Sequence, residues 1–309
     1  MTGFLLQVGG PMQSWGEHSS FNDRDTVSHP TRSGLIGMIA SALGIPREDA
    51  VTAAAEVTGA DVSSTRFGQL GALRFTIRHD RPGTRLRDFH TIGGGLPAHR
   101  TVPTAKGGRR SPGLGTIVSE RHYLADAVFT IAVTAAGAPD AARLTAACAQ
   151  ALAAPHWPLH LGRRSCPPGA VFVLATDIAD PVADLLTAVP LARPRPGRRP
   201  GQASAPPAAP DHADEAGPSR EKNAVSVRFT ADAAFEAPFP PSASSRAQVT
   251  TLNDEPLSMR PRARVHRSRP SYTTSCPLSA ALCAGYGADY LDAVLAYRAA
   301  AVTQERNTA

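Results

Sequence analysis

Hydrophobic positions along the chain follow two periods. Phe4 to Val8 is a short apolar run with the length of a buried strand, and Gly9, Gly10 and Pro11 stop it because they cannot continue a ladder. Leu35, Met38, Ile39 and Leu43 then recur at helical spacing behind Pro30 and Thr31, which predicts a helix facing a core. Gly34, Gly37 and Ser41 form a second stripe on that helix with almost no side chain. An alanine-rich helix is expected over 47–57 and another over 141–152, the latter with Leu144, Cys148 and Leu152 on one face. Strict alternation over 72–78 puts Leu73, Phe75 and Ile77 on one side and Arg74, Thr76 and Arg78 on the other, a half-buried strand with a basic face. Strands are also expected at 128–133, 171–175 and 225–229, and an amphipathic helix after Cys276, interrupted near Gly285 to Gly287. Both strands and helices are therefore expected along the chain.

Two stretches carry no apolar period. Residues 82–116 are rich in glycine and basic side chains, and so long a loop inside a compact domain is usually functional or disordered. Residues 193–222 hold seven prolines and three glycines but no Val, Ile, Leu, Met, Phe, Trp or Tyr. Such a segment buries too little to offset ordering entropy, so a disordered linker is expected there.

Composition adds a polyanion to this picture. The net charge is +6 with a pI near 9.5, but between Arg74 and Arg110 nine basic residues meet only Asp80 and Asp88. Arg260 to Arg269 contains five arginines and no acid. Either run is a solvated face or the footprint of a nucleic acid. Within 82–116, Arg85, Arg87, His90, His99, Arg100, Lys106, Arg109 and Arg110 are interleaved with Phe89 and with glycines at 93–95 and 107–108. Cations that track phosphates, a ring that stacks on a base and glycines that admit main chain suit an arm closing over a single strand.

The start of the first helix, with Arg32 and Ser33 in its first turn and Gly34 behind them, offers free amides to a phosphate. The same glycines equally serve tight packing. Gln13, Ser14 and Trp15 sit at the end of the first strand, and Arg163 and Arg164 occupy a turn that suits a phosphate or a partner's carboxylate. Cys148, Cys166, Cys276 and Cys283 include no C-x-x-C pair, so reduced structural thiols are expected, with no metal and no cofactor. There is no P-loop, dinucleotide fingerprint, zincin or nucleophile-elbow motif. A metal-independent ribonuclease remains possible on residue types alone, from His90, His122, Tyr123 and Lys106. No run reaches the length of a membrane span and no signal peptide opens the chain, which places it in the cytoplasm without membrane contact.

Five blocks in order give a more specific reading: G-P-M-Q-S-W-G at 10–16, P-T-R-S-G-L-I-G at 30–37, D-F-H-T-I-G-G-G at 88–95, R-H-Y-L-A-D-A at 121–127 and L-G-R-R-S-C-P-P at 161–168. A weaker sixth is D-E-P-L-S-M at 254–259. With these the chain resembles the CasD family, backbone subunits of the type I-E CRISPR complex Cascade within the RAMP superfamily. The resemblance implies a ferredoxin-like, RRM-type RAMP domain over 1–192 with a protruding thumb at about 82–116. Residues 193–222 then link it to a smaller C-terminal β region over 223–275 and a helical tail over 276–309. It implies a non-enzymatic subunit that holds the five-prime handle of crRNA, caps the CasC backbone and touches CasA, meeting target DNA through the complex. Related type I-C subunits cleave repeat RNA, so endoribonuclease activity is the alternative. Residues expected at the RNA are Gln13, Ser14, Trp15, Arg24, Arg32, Ser33, Gly34, His90, Lys106, Arg109, Arg110, Arg163 and Arg164.

Overall fold

A computed structural model describes residues 2–16, 19–20, 22–52, 65–104, 106–137, 140–196 and 223–308. The first part of the chain holds β1 (Gly3–Gly9), β2 (Met12–Gln13), β3 (Ser19–Ser20), β4 (Asp23–Arg24), α1 (Arg32–Ala42), α2 (Arg66–Gln69) and β5 (Leu73–Arg81). Then come β6 (Thr84–Ile92), β7 (Ile117–Ala125), β8 (Val128–Ala135), α3 (Ala141–Ala153), β9 (Val173–Ile178) and α4 (Pro181–Thr187). The chain closes with β10 (Ala224–Ala231), α5 (Pro241–Ser245), β11 (Gln248–Arg260), β12 (Ala263–Ser279) and α6 (Gly287–Thr308).

A seven-stranded sheet organises the molecule, in the order β11-β12-β10-β5-β8-β1-β9. Its β5-β8-β1-β9 portion, with α1 between β1 and β5 and α3 between β8 and β9, has the βαββαβ order of the ferredoxin-like RAMP fold. The C-terminal strands continue this sheet: β10 pairs antiparallel with β5, Thr230 opposite Ile77.

Both sheet faces are covered, which accounts for the unbroken apolar run in β1. Phe4, Leu6 and Val8 join Phe75, Ile77, Phe129 and the inner sides of α1 and α3 in one core. Leu5 points into a second core with Leu174, Leu185, Phe229, Tyr290 and Val294, under α4 and α6. Gln7, the polar member of the run, reaches Tyr290 Oη with its Nε2 at 3.1 Å. In the second layer a fully buried Arg78 pairs with Asp80 at 2.6 Å and donates to the carbonyls of Leu185, Val189 and Pro190. So dense a set of partners is what keeps a buried guanidinium tolerable.

The helices expected over 141–152 and behind Thr31 are present as α3 and α1. Other stretches differ from expectation. Of the helix expected over 47–57, residues 47–52 form turns and an isolated bridge from Val51 to Ser258, and the remainder lies outside the described residues. Most of the linker expected over 193–222 also lies outside them. Residues 276–279 belong to β12, so the terminal helix starts at Gly287. The loop expected over 82–116 begins as a strand: β6 pairs with β7 from Thr84 opposite Ala125 to Ile92 opposite Ile117. The stretch expected as a thumb therefore begins as a β-ribbon, whose two strands are joined through the described residues of 93–116.

Candidate nucleic-acid interface

β7 is the axis of a small second sheet. β6 lies along one edge, while β2 and β4 share the other, Gln13 opposite Leu124 and Arg24 opposite Arg121. The turn at 161–166 closes over this sheet. Ser14 N donates to Leu161 O at 3.0 Å, and Gly162, at φ +88°, lies so close that a Cβ would stand 1.7 Å from Ser14 O. Only glycine satisfies both the left-handed backbone and that approach. Arg163 fastens the assembly, donating to His122 O at 3.0 Å and to Arg24 O at 2.7 Å, with its guanidinium 4.7 Å from the Tyr123 ring centre. Four of the five sequence blocks thus meet along one strand.

Several residues expected at the RNA face inward instead. Gln13 is fully buried: its Nε2 donates to Val8 O and Ala127 O, and its Oε1 accepts from Trp15 Nε1 at 2.9 Å. Trp15 is 1% exposed, and Ser14 Oγ donates to His122 O. These three side chains brace the floor and leave no polar group pointing outward.

Arg32 also turns inward, 2% exposed. Its guanidinium donates to Glu255 at 2.6 Å, Asp232 at 2.7 Å, and the carbonyls of Leu73 and Gly71 at 2.8 Å. The amide expected to greet a phosphate, Arg32 N, donates to Asp254 Oδ2 at 2.7 Å. A helix N-terminus favours an anion, and here an internal carboxylate fills the place. Arg269 completes the cluster, pairing with Asp254 at 2.7 Å and Asp232 at 2.9 Å. Gly34 is a packing glycine: an added Cβ would sit 2.9 Å from the Trp15 ring. Ser33 is half-buried, its Oγ 3.4 Å from Thr31 Oγ1, and Thr31 caps α1 through Gly34 N.

Arg24, Lys106, Arg109, Arg110 and Arg164 are exposed, and His90 is partly so. Arg109 is steadied by Thr101 O at 2.6 Å. The ribbon also carries three further residues of the arm expected from the sequence. Phe89 is 68% exposed; Arg85 pairs with Asp25 and stands 3.4 Å from His122 Nδ1; Arg87 lies 3.6 Å from Glu120. The interleaved acids temper the positive field: Asp88 lies 3.4 Å from His90 and Asp23 lies 3.3 Å from His122. Asp23 and Asp25 flank Arg24 in sequence, the one local signal of this pairing.

The ribbon also separates the candidate acid and base residues. His90 is opposite Ser119 and His122 opposite Arg87, an odd offset of three positions that puts the two rings on opposite faces. Tyr123 is 5% exposed beneath Arg163. Burial pushes the Cys148 thiol up to about 12 and the Cys276 thiol up to about 11, and all four cysteines are free and buried. Among the described residues no group of three His, Cys, Asp or Glu side chains is placed to hold a metal ion, and no helix is long and apolar enough to cross a membrane.

A family model described as CRISPR-associated protein (Cas_Cas5) matches residues 3–270. Over 191 residues the chain is 34% identical to the CRISPR system Cascade subunit CasD of Escherichia coli (strain K12), covering 60% of this chain and 77% of that protein. A chain of a solved CRISPR RNA-guided surveillance complex is 42% identical, with a TM-score of 0.70 over 96% of this chain and 99% of the other. A crystal structure of a Cas protein, 22% identical, shares the fold with a TM-score of 0.50 over 92% of this chain and 98% of that one.

Proposed function

The chain belongs to the Cas5 family of CRISPR-associated proteins, and from that premise we propose that it is a non-catalytic subunit of a type I-E surveillance complex, Cascade. In this reading it works in the cytoplasm, holds the five-prime handle of the crRNA, caps the CasC backbone and contacts CasA. Target DNA is met through the assembled complex.

The observation that carries this reading is the division of labour around β7. Buried Gln13, Ser14 and Trp15 fix the floor, while Arg24, His90, Lys106, Arg109, Arg110 and Arg164 remain on the outside beside Phe89. Arg163 positions the Arg24 main chain, and Gly34 of α1 packs on the Trp15 ring. Exposed cations on a ribbon with a free ring suit a single strand, since phosphates follow the cations and one base stacks on the ring.

Binding of handle RNA to the purified chain tests this. If about four phosphates are neutralised, affinity falls with salt at a log-log slope near −3, at ~0.7 per contact for single strands. The Lys106→Ala, Arg109→Ala, Arg110→Ala combination makes that slope shallower by about 2. A salt-independent affinity would sink the electrostatic part. The endoribonuclease alternative needs a paired acid and base, and His90 and His122 lie on opposite ribbon faces. Intact repeat RNA after incubation with the protein in EDTA is the expected result; specific cleavage abolished by His90→Ala would overturn it.

A further inference from the structure

One face of the ribbon carries its own anions. Arg85, Arg87 and Phe89 of β6 stand opposite Leu124, His122 and Glu120 of β7, and directly opposed residues share a face. β4 runs parallel along the other edge of β7 with Asp23 opposite Glu120, which puts Asp23 on the same face. Asp25, one residue beyond β4, joins it by pairing with Arg85. With His122 neutral, two arginines meet three carboxylates around the ring on which a base is proposed to stack. An incoming phosphate finds no surplus of cations there until one of these pairs opens.

The contacts link three strands. Arg85 holds Asp25 Oδ1 through Nη2, and its Nε donates to His122 Nδ1 at 3.4 Å. A lone pair on Nδ1 leaves the ring proton on Nε2, 3.3 Å from Asp23 Oδ1. Arg87 stands 3.6 Å from Glu120, beyond hydrogen-bond reach, which makes Arg85 the masked cation.

The two partners of the Arg85 pair are held differently. Asp25 Oδ1 also accepts from Thr26 N at 2.7 Å, and Thr26 is tied to the buried floor, its Oγ1 accepting from Trp15 N at 2.8 Å. The carboxylate is therefore fixed, while Arg85 is 55% exposed at the end of a long side chain. Arg85 can turn to another anion while Asp25 stays in place. Exposed pairs of this kind are weak. Phosphate is the stronger competitor, since it accepts from a guanidinium in the same forked geometry and its binding releases condensed counterions. A carboxylate built into the place of a phosphate thus lowers affinity without closing the site.

We propose that Asp25 is an internal stand-in for phosphate that sets the affinity of the ribbon: it occupies Arg85 in the free chain and is displaced from it by the strand. This role rests on handle binding by the ribbon, so the test uses the full chain with two probes, handle RNA and heparin, a sulfated polyanion without bases. Asp25→Asn keeps the shape of the side chain and removes its charge. It binds handle RNA about threefold more tightly at about 0.1 M salt, the scale of an exposed pair, and elutes later from heparin at an unchanged melting temperature. In the Arg85→Ala background the same substitution gives no gain. Asp140→Asn, an equal change of charge beside Arg143 at the start of α3, gives none in either background. A gain in handle affinity that persists without Arg85 would overturn the proposal, because it would belong to the general field. So would unchanged affinity of Asp25→Asn in a chain that binds the handle. If no variant binds handle RNA, heparin decides: a gain that depends on Arg85 upholds the stand-in and ends the handle reading, and a gain independent of Arg85, or none, ends both.

Discussion

Arg32 lies 2% exposed between Asp232 and Glu255, with its amide on Asp254, so removing the side chain strands carboxylates that have little water. Arg32→Ala is expected to lower unfolding free energy by ~3–5 kcal/mol, the range for breaking one side of a buried pair, read as an earlier urea midpoint at constant slope. Arg32→Lys recovers only part of this, because a point charge cannot fork to two carboxylates and two carbonyls. The residue's importance was legible from its place in the first turn of a helix with glycines behind it. The identity of its anion was not, because Asp254 arrives from 222 positions later in the chain. The same holds for Gln13 and Trp15: a strand end marks a place where side chains matter, but their mutual hydrogen bond and their burial depend on β7 and the 161–166 turn closing over them.

Among elements, the ribbon shows where periodicity stops carrying information. β1, β5 and β8 border a core and alternate or run apolar accordingly. β6 has Leu86, Phe89 and Ile92 all more than 40% exposed, so no buried face imposed a period on it. α1 and α3 were readable because each lays one apolar side on the sheet. Since none of the described residues of 93–116 belongs to either core, replacing 94–115 with a short Gly-Ser connector is expected to keep the melting temperature near that of the wild type. The same variant should lose most handle RNA affinity. A large drop in melting temperature would show that the tip supports the β7 sheet.

At the scale of the whole molecule, one sheet joins the first and last thirds of the chain, and buried ionisable groups sit in its seams. His79 is 4% exposed; burial, with His29, Arg228 and Arg193 nearby, lowers its pKa to about 3. His29, 5.6 Å away, is lowered to about 4 by burial despite Asp254. Below pH ~6.5 the unfolded chain takes up protons that the folded one refuses, so stability falls on acidification, by up to ~1.4 kcal/mol per pH unit for each histidine. Chemical unfolding at pH 7 and pH 5 measures this, and His79→Gln should flatten the difference. The α+β class was legible from the family blocks and not from the succession of elements, and the continuation of β5 by β10 was legible from neither, because strand order is a long-range property. That junction also has a consequence during synthesis. At ~5–20 residues per second, the 222 residues between Arg32 and Asp254 take roughly 10–45 s to translate. Throughout that interval the start of α1 lacks its counter-charge, and from the completion of β5 until β10 follows the edge of β5 lacks its neighbour, so the nascent chain carries a sticky, half-neutralised face. Ribosome-associated chaperones have their longest opportunity here, and slow codons upstream of residue 254 lengthen the exposure.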